Sequence, residues 1–344
     1  HMKQYLDILQ TILDNGREKE SGRANMPNTI GITGASIKMD LRKGFPLITT
    51  KKIYIKGVII ELLWFLKGDT NIKYLVDNNV NIWNDDAFRW YNEKYVKEHN
   101  APKLTIDEFL KKVKDGAMYS YPDKNGFTMN VYKYGDLGKV YGYQWRNQNG
   151  VDQINGIING LKTNPYSRYH ILDAWNISDF NKMALPPCHL LYHFIVRPLT
   201  IEERVEYVNV LNENKEYTHD DLDKLNAPKF YLDLNMYQRS ADMFLGVPFN
   251  LASMSLLLMI IAKTCNMIAG TATWIGGDVH LYKEHIPMAM EQLKRKPYPS
   301  PKLNIKKELN TIEDIENLTF DDFEIMGYYH HDAIKAELFT GLKK

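Results

Sequence analysis

Nine consecutive residues, "VIIELLWFL" at 58–66, contain a single polar side chain, Glu61. An α-helix advances 100° per residue, so a run with no polar stripe has no face to give to water. Such a helix must be covered on every side, which takes a chain long enough to wrap it. At 344 residues this chain is, either as one large domain with insertions or as two domains.

The remaining text supplies the covering. Residues 3–15 place Tyr5, Ile8, Leu9, Ile12 and Leu13 at helical spacing and stop at Asn15-Gly16. Residues 16–35, rich in Gly, Asn and Pro, read as loop. The segments 168–176, 190–196 and 230–238 are short β-type runs. In the last, Leu232, Leu234 and Met236 alternate with Asp233, Asn235 and Tyr237, as in a half-buried antiparallel strand. Leu251, Met254, Leu258, Ile261 and Cys265 predict a core helix over 251–265. Two polar stretches without a period, near 88–136 and 197–229, read as surface insertions. The pattern predicts an α/β (α+β) domain over 3–344, with His1-Met2 a remnant of an expression tag.

Lys plus Arg (43) nearly cancels Asp plus Glu (42), which gives no electrostatic case for nucleic acid or membrane. Two cysteines make no disulfide framework and predict a reduced, cytoplasmic setting. The longest apolar run, 256–262, is well below the ~20 residues of a bilayer span, and no secretory signal precedes it.

Four places carry chemistry. Cys188 follows Pro186-Pro187, a stiff lead-in that suits a positioned nucleophile, although a free cysteine is also a common small core residue. His189 on a strand points to the opposite face and makes a poor base for it. Cys265 reads as core. Glu61 is costly to ionise among apolar neighbours and is either an acid–base group or a buried carboxylate satisfied by an arginine or an amide. In "YQRSADMFLGVPFN", Arg239 and Ser240 suit a phosphate. Asn250 can read an amide edge or cap the helix that follows, and Asp242 can cap a turn or accept a ring N–H. In "WIGGDVHLYKEH", His280 and Tyr282 share a face if the segment is extended, and no third ligand joins His280 and His285 to make a metal site.

Eight blocks, "GFPLITTKK", "ELLWFLKGDTN", "NIW", "DLGKVYGYQWR", "SRYHILDAWN", "MALPPCH", "YQRSADMFLGVPFN" and "GGDVHLY", come in an order that resembles the thymidylate synthases. The resemblance implies a large mixed β-sheet packed against helices and a homodimer formed sheet to sheet. It implies conversion of dUMP to dTMP, with 5,10-methylenetetrahydrofolate giving the carbon and the hydride. By it, Cys188 attacks C6 of the uracil. Arg23, Arg239, Ser240 and, from the partner subunit, Arg168 hold the phosphate. Asn250 reads the base, and His280 and Tyr282 hold the ribose. Glu61 is the acid–base residue, Tyr141 helps remove the C5 proton, and Trp83 shields the intermediate from water. Asp242 takes the pterin and Lys51 the folate tail. By the same resemblance, Arg239 lowers the pKa of Cys188.

The chain departs from the family pattern at "ANMPNT" after Arg23, at Tyr169, at Asp86 and in the extended "AELFTGLKK" end. Three other readings compete: a dUMP 5-hydroxymethylase on the same scaffold, a silent nucleotide- or RNA-binding protein, and a cysteine hydrolase. The hydrolase lacks a histidine partner, and the intact Cys188, Glu61 and Asn250 speak against a silent protein.

Overall fold

The structure, a computed structural model, describes residues 2–209 and 215–342. The expected domain and the second expected insertion therefore each include residues outside the described set. Among the described residues the strands are β1 (Arg17–Lys19), β2 (Thr29–Asp40), β3 (Met118–Pro122), β4 (Met129–Lys133), β5 (Ile171–Asp173), β6 (His189–Pro198), β7 (Phe230–Asp242), β8 (Ile268–Tyr282), β9 (Lys302–Ile305) and β10 (Phe323–Met326). Six of them form one mixed sheet in the order β1-β2-β8-β7-β6-β5. Only the β7–β8 pair is parallel; its neighbours are antiparallel. Parallel neighbours need a crossover, and the helix Gly246–Thr264 supplies it.

That helix packs on the sheet and against the helix Ile55–Leu66, in which every residue from 57 to 66 is buried. The apolar run at 58–66 is thus enclosed, as its lack of a polar stripe requires. Gly246–Thr264 is long and apolar enough by composition to cross a membrane, although most of it is buried in the core. Its Ser255 and Thr264 hydroxyls donate to the carbonyls of Leu251 and Ile260, one turn back, so both are paired within the core.

Three expectations change. The loop read at 16–35 contains β1 and the start of β2, which pairs with β8 along its length. Glycine and threonine hide the alternation at 29–36. Gly31 is needed because a Cβ there would stand 2.8 Å from the Val279 carbonyl oxygen. The core helix starts at Gly246, not at 251, because Pro248 falls in the first turn, where a missing N–H costs nothing. The segment 88–136 is more than surface: Tyr91, Tyr95, Phe109, Tyr132 and Tyr134 are buried together around a π-helical turn, Tyr91–Val96, and the β3–β4 hairpin. The tyrosine spacings of four and two residues were its signal.

Candidate active site

Strand direction brings the chemistry to one end of the central strands. Because β7 and β8 are parallel, their ends coincide, with Ser240 opposite Asp278 and Asp242 opposite His280. Antiparallel β6 begins where β7 ends, and the Arg239 N–H donates to the Cys188 carbonyl at 2.9 Å. Cys188 opens into a cavity of about 380 Å³ that Arg23, Arg89, Leu185, Arg239 and Ser240 also line.

Arg239 is aimed by the residues before the thiol. Its Nε donates to the Pro187 carbonyl at 2.7 Å and its Nη2 to that of Pro186 at 3.1 Å, which leaves Nη2 3.9 Å from Cys188 Sγ. Burial pushes the thiol above its ordinary pKa; Arg239 and then Arg23 pull it down, and Asp86 pushes it up. Arg239 acts in the expected direction, but burial outweighs it. His189 offers no general base. Its ring stacks on Tyr141 at 4.3 Å, its Nδ1 lies 2.6 Å from the Tyr192 hydroxyl, and burial pushes its pKa down to about 3. The Tyr141 hydroxyl accepts the Cys188 N–H at 2.7 Å.

Beyond Tyr141 the site turns dry. Glu61 Oε2 accepts the Trp83 indole N–H at 2.7 Å, and among the described residues no arginine pairs with it. Burial raises the carboxyl from 4.5 to about 7, with the indole bond pulling partly back. Trp83 stands edge-on to Tyr141, with ring centroids 6.1 Å apart. Tyr141 therefore touches both the nucleophile's backbone and the cage of the carboxylate. Burial pushes its phenol well above the ordinary range, so it stays protonated.

Asn250 sits inside its helix, five residues from the start, so the N-cap alternative falls. Its amide is oriented by a chain of donors. The Trp274 indole can only donate, and it gives its N–H to Gln238 Oε1 at 2.9 Å. Gln238 Nε2 must then be the donor, and it meets Asn250 Oδ1 at 3.0 Å. Asn250 Nδ2 is left to donate, while Oδ1 keeps a second lone pair. Asp242 does cap its turn, since Oδ1 accepts the N–H groups of Phe244 (3.2 Å) and Leu245 (3.5 Å). Both bonds fall on one oxygen, which leaves Oδ2 for a ring N–H.

His280 and Tyr282 share a face, with ring centroids 5.6 Å apart, and the His280 Nδ1 is 3.0 Å from Asp278 Oδ1. The chain end lies over this region. Phe339 packs on Tyr282 and His285, and Arg23 Nη2 donates to the Thr340 carbonyl at 2.9 Å. Lys51 turns to Phe244: its ammonium donates to the Phe244 carbonyl and stands 3.5 Å over the Phe244 ring. Burial lowers it to about 7, against the pull of Asp242. Arg168 is exposed just before β5 and does not line the cavity of its own chain. Cys265 ends the core helix, with its thiol pushed up to about 12 by burial. Among the described residues no group of His, Cys, Asp or Glu is placed to hold a metal ion.

Sequence reasoning missed three participants. Gln238 had a signal: it continues the buried positions 232, 234 and 236 of β7, where a polar side chain needs a partner. Trp274 and Arg89 had none, because their partners lie 36 and 95 residues away.

The chain matches the sequence model of a family described as thymidylate synthase over residues 3–340. It is 42% identical over 337 residues to a thymidylate synthase of Mycoplasma mobile, covering 98% of this chain and 99% of the relative. The same identity and coverage hold for a thymidylate synthase of Mesoplasma florum. A Mycoplasma pneumoniae thymidylate synthase is 38% identical over 339 residues, again covering 98% of this chain and 99% of the relative.

Proposed function

The chain belongs to the thymidylate synthase family and methylates dUMP to dTMP, and we propose that it does so with the Cys188 thiol as covalent nucleophile and the buried Glu61 carboxylate as the acid–base group. The observation that carries the assignment is the thiol of Cys188, 3.9 Å from the Arg239 guanidinium in a cavity that Arg23 and Ser240 also line. Two guanidiniums and a hydroxyl suit a phosphate, and a thiol beside them suits the ring that the phosphate anchors.

The uracil offers an acceptor at O4 and a donor at N3, which match Asn250 Nδ2 and Oδ1 as Gln238 leaves them. Cytosine presents the reverse pattern. His280 and Tyr282 hold the ribose. The Cys188 thiolate adds to C6, and the electron pair moves onto C5 and O4. Glu61, near neutrality in its pKa, exchanges a proton at O4 through water. The Tyr141 hydroxyl helps take the proton lost from C5. When C5 carries its methyl group, the C5–C6 double bond reforms and the thiolate leaves.

The donor is 5,10-methylenetetrahydrofolate, which supplies the carbon and the hydride and departs as dihydrofolate. The free Asp242 Oδ2 and the indole of Trp83 fit a pterin that needs an N–H acceptor and a dry face. Trp83, tied to Glu61, keeps water off C5 until the hydride arrives. Lys51 meets the folate tail only by leaving its bond to Phe244.

We further read residues 3–344 as one catalytic domain and the chain as a homodimer. Arg168, Tyr237 and Ile275 stand exposed on or beside the open face of the sheet, where a second copy would cover them and receive Arg168 at its phosphate. A cytoplasmic setting goes with this reading. The test is to mix the protein with dUMP and 5,10-methylenetetrahydrofolate and weigh both products. The expected pair is dTMP and dihydrofolate; hydroxymethyl-dUMP with tetrahydrofolate would overturn the hydride step.

A further inference from the structure

The segment 184–187 leads to the nucleophile, yet two of its four residues are prolines and carry no N–H. Its carbonyls are therefore the main handles by which the fold can hold it. Three of the four are taken by guanidiniums. Arg239 holds Pro186 and Pro187 from the β7 side. From the helix Asn84–Trp90, Arg89 Nη2 donates to the Ala184 carbonyl at 3.0 Å.

We propose that Arg89 is a positioning residue for Cys188: with Arg239 it clamps the 184–187 segment from two sides and sets where the thiol meets the pyrimidine. Arg89 is itself aimed by Asp86 on the preceding turn, at 3.1 Å, and by Glu93 at 3.2 Å. Asp86 and Arg89 are both largely withdrawn from water, with side chains 15% and 13% exposed. A desolvated pair of this kind gives up mobility and fixes direction. The Arg89 Nε is buried without a partner, so three bonds set the guanidinium's direction at the expense of a fourth. Arg89 also lines the same cavity as the thiol. The inference rests on Cys188 being the nucleophile.

The experiment compares Arg89→Ala, Arg89→Lys and Asp86→Asn with the parent, and with Cys188→Ser as reference. Arg89→Ala is expected to lower kcat by roughly 10- to 100-fold, the scale of a misplaced reacting group, with KM for dUMP held within about threefold. Arg89→Lys should recover part of the loss. The pH midpoint of Cys188 alkylation by iodoacetamide should not move in the two Arg89 variants. A tenfold rise in KM at unchanged kcat would overturn the proposal in favour of direct ligand contact. A shifted alkylation midpoint would replace position by charge, and normal kinetics with a lower Tm would leave only a structural role. Should Arg89→Ala not fold, Arg89→Lys and the kcat-against-KM split of Asp86→Asn carry the test, at a few-fold; the alkylation midpoint is read in Arg89→Lys alone, because the Asp86 charge itself acts on the thiol. Activity in Cys188→Ser would remove the reading underneath; an inactive Cys188→Ser beside a normal Arg89→Ala would remove this inference alone.

Discussion

The two ends of the candidate site bury an acid each and treat it differently. At one end, Cys188 is desolvated but faced by Arg239 and Arg23, which take back part of what burial costs the thiolate. At the other, Glu61 is desolvated with only an indole N–H for company, and its carboxyl rises to about 7. Burial alone makes a proton carrier for neutral pH. Burial beside guanidiniums makes a thiol that is held protonated at rest and ionises more easily than burial alone would allow.

The largest expected effect tests the thiol end. Cys188→Ser should lower turnover by at least ~10⁴-fold, because a hydroxyl near neutrality is almost wholly un-ionised, while dUMP binding measured by calorimetry stays within a few-fold. Substantial residual turnover would mean that the thiol end is not covalent.

Glu61→Gln tests the dry end, and the expected loss in kcat is roughly 10²- to 10⁴-fold, the usual range for acid–base catalysis. It also makes a prediction about stability. A carboxyl whose pKa is raised by folding contributes its stability below about 4.5 and loses it as pH rises through about 7. The glutamine variant cannot pay that penalty, so it should be the more stable protein at pH 8, by on the order of 1–3 kcal/mol, and equal to the parent below pH 4.5. Melting curves at both pH values decide it. A difference independent of pH would show that burial does not set the carboxyl.

A smaller change is expected at Asn250. Asn250→Asp should raise dCMP turnover relative to dUMP by about tenfold or more, because a protonated carboxyl presents the opposite donor–acceptor pattern. Unchanged selectivity would take base reading away from this residue. The smallest effect belongs to the other thiol. Cys265 has only Lys162 against its burial, and its thiol sits at about 12. Cys265→Ala should leave activity within about twofold, and iodoacetamide should label the parent at Cys188 alone.

The same contrast explains what the sequence made legible. Cys188 and Glu61 stand out in the text because each breaks a local pattern: a thiol after two prolines, a carboxylate within an apolar run. The enclosed helix Ile55–Leu66 is legible for the same reason, since its neighbours leave no face for water. Strand β2 is not, because its early residues are glycine and threonine and its pairing with β8 is set more than 200 residues away. The orientation of Asn250 depends on Trp274 through Gln238, and the placement of Cys188 depends on Tyr141 and Arg89. Each of these is a contact between distant parts of the chain, and local spacing carries no trace of it.

The one parallel pair in the sheet has a consequence for how the protein comes into being. Arg239 and Asp242 reach His280 and Tyr282 only after the Gly246–Thr264 helix has crossed over and docked, because antiparallel growth from β7 would carry the chain to the other edge. Turnover cannot return during refolding before that long-range closure, and a chain that stalls short of it holds every residue it needs and makes no product.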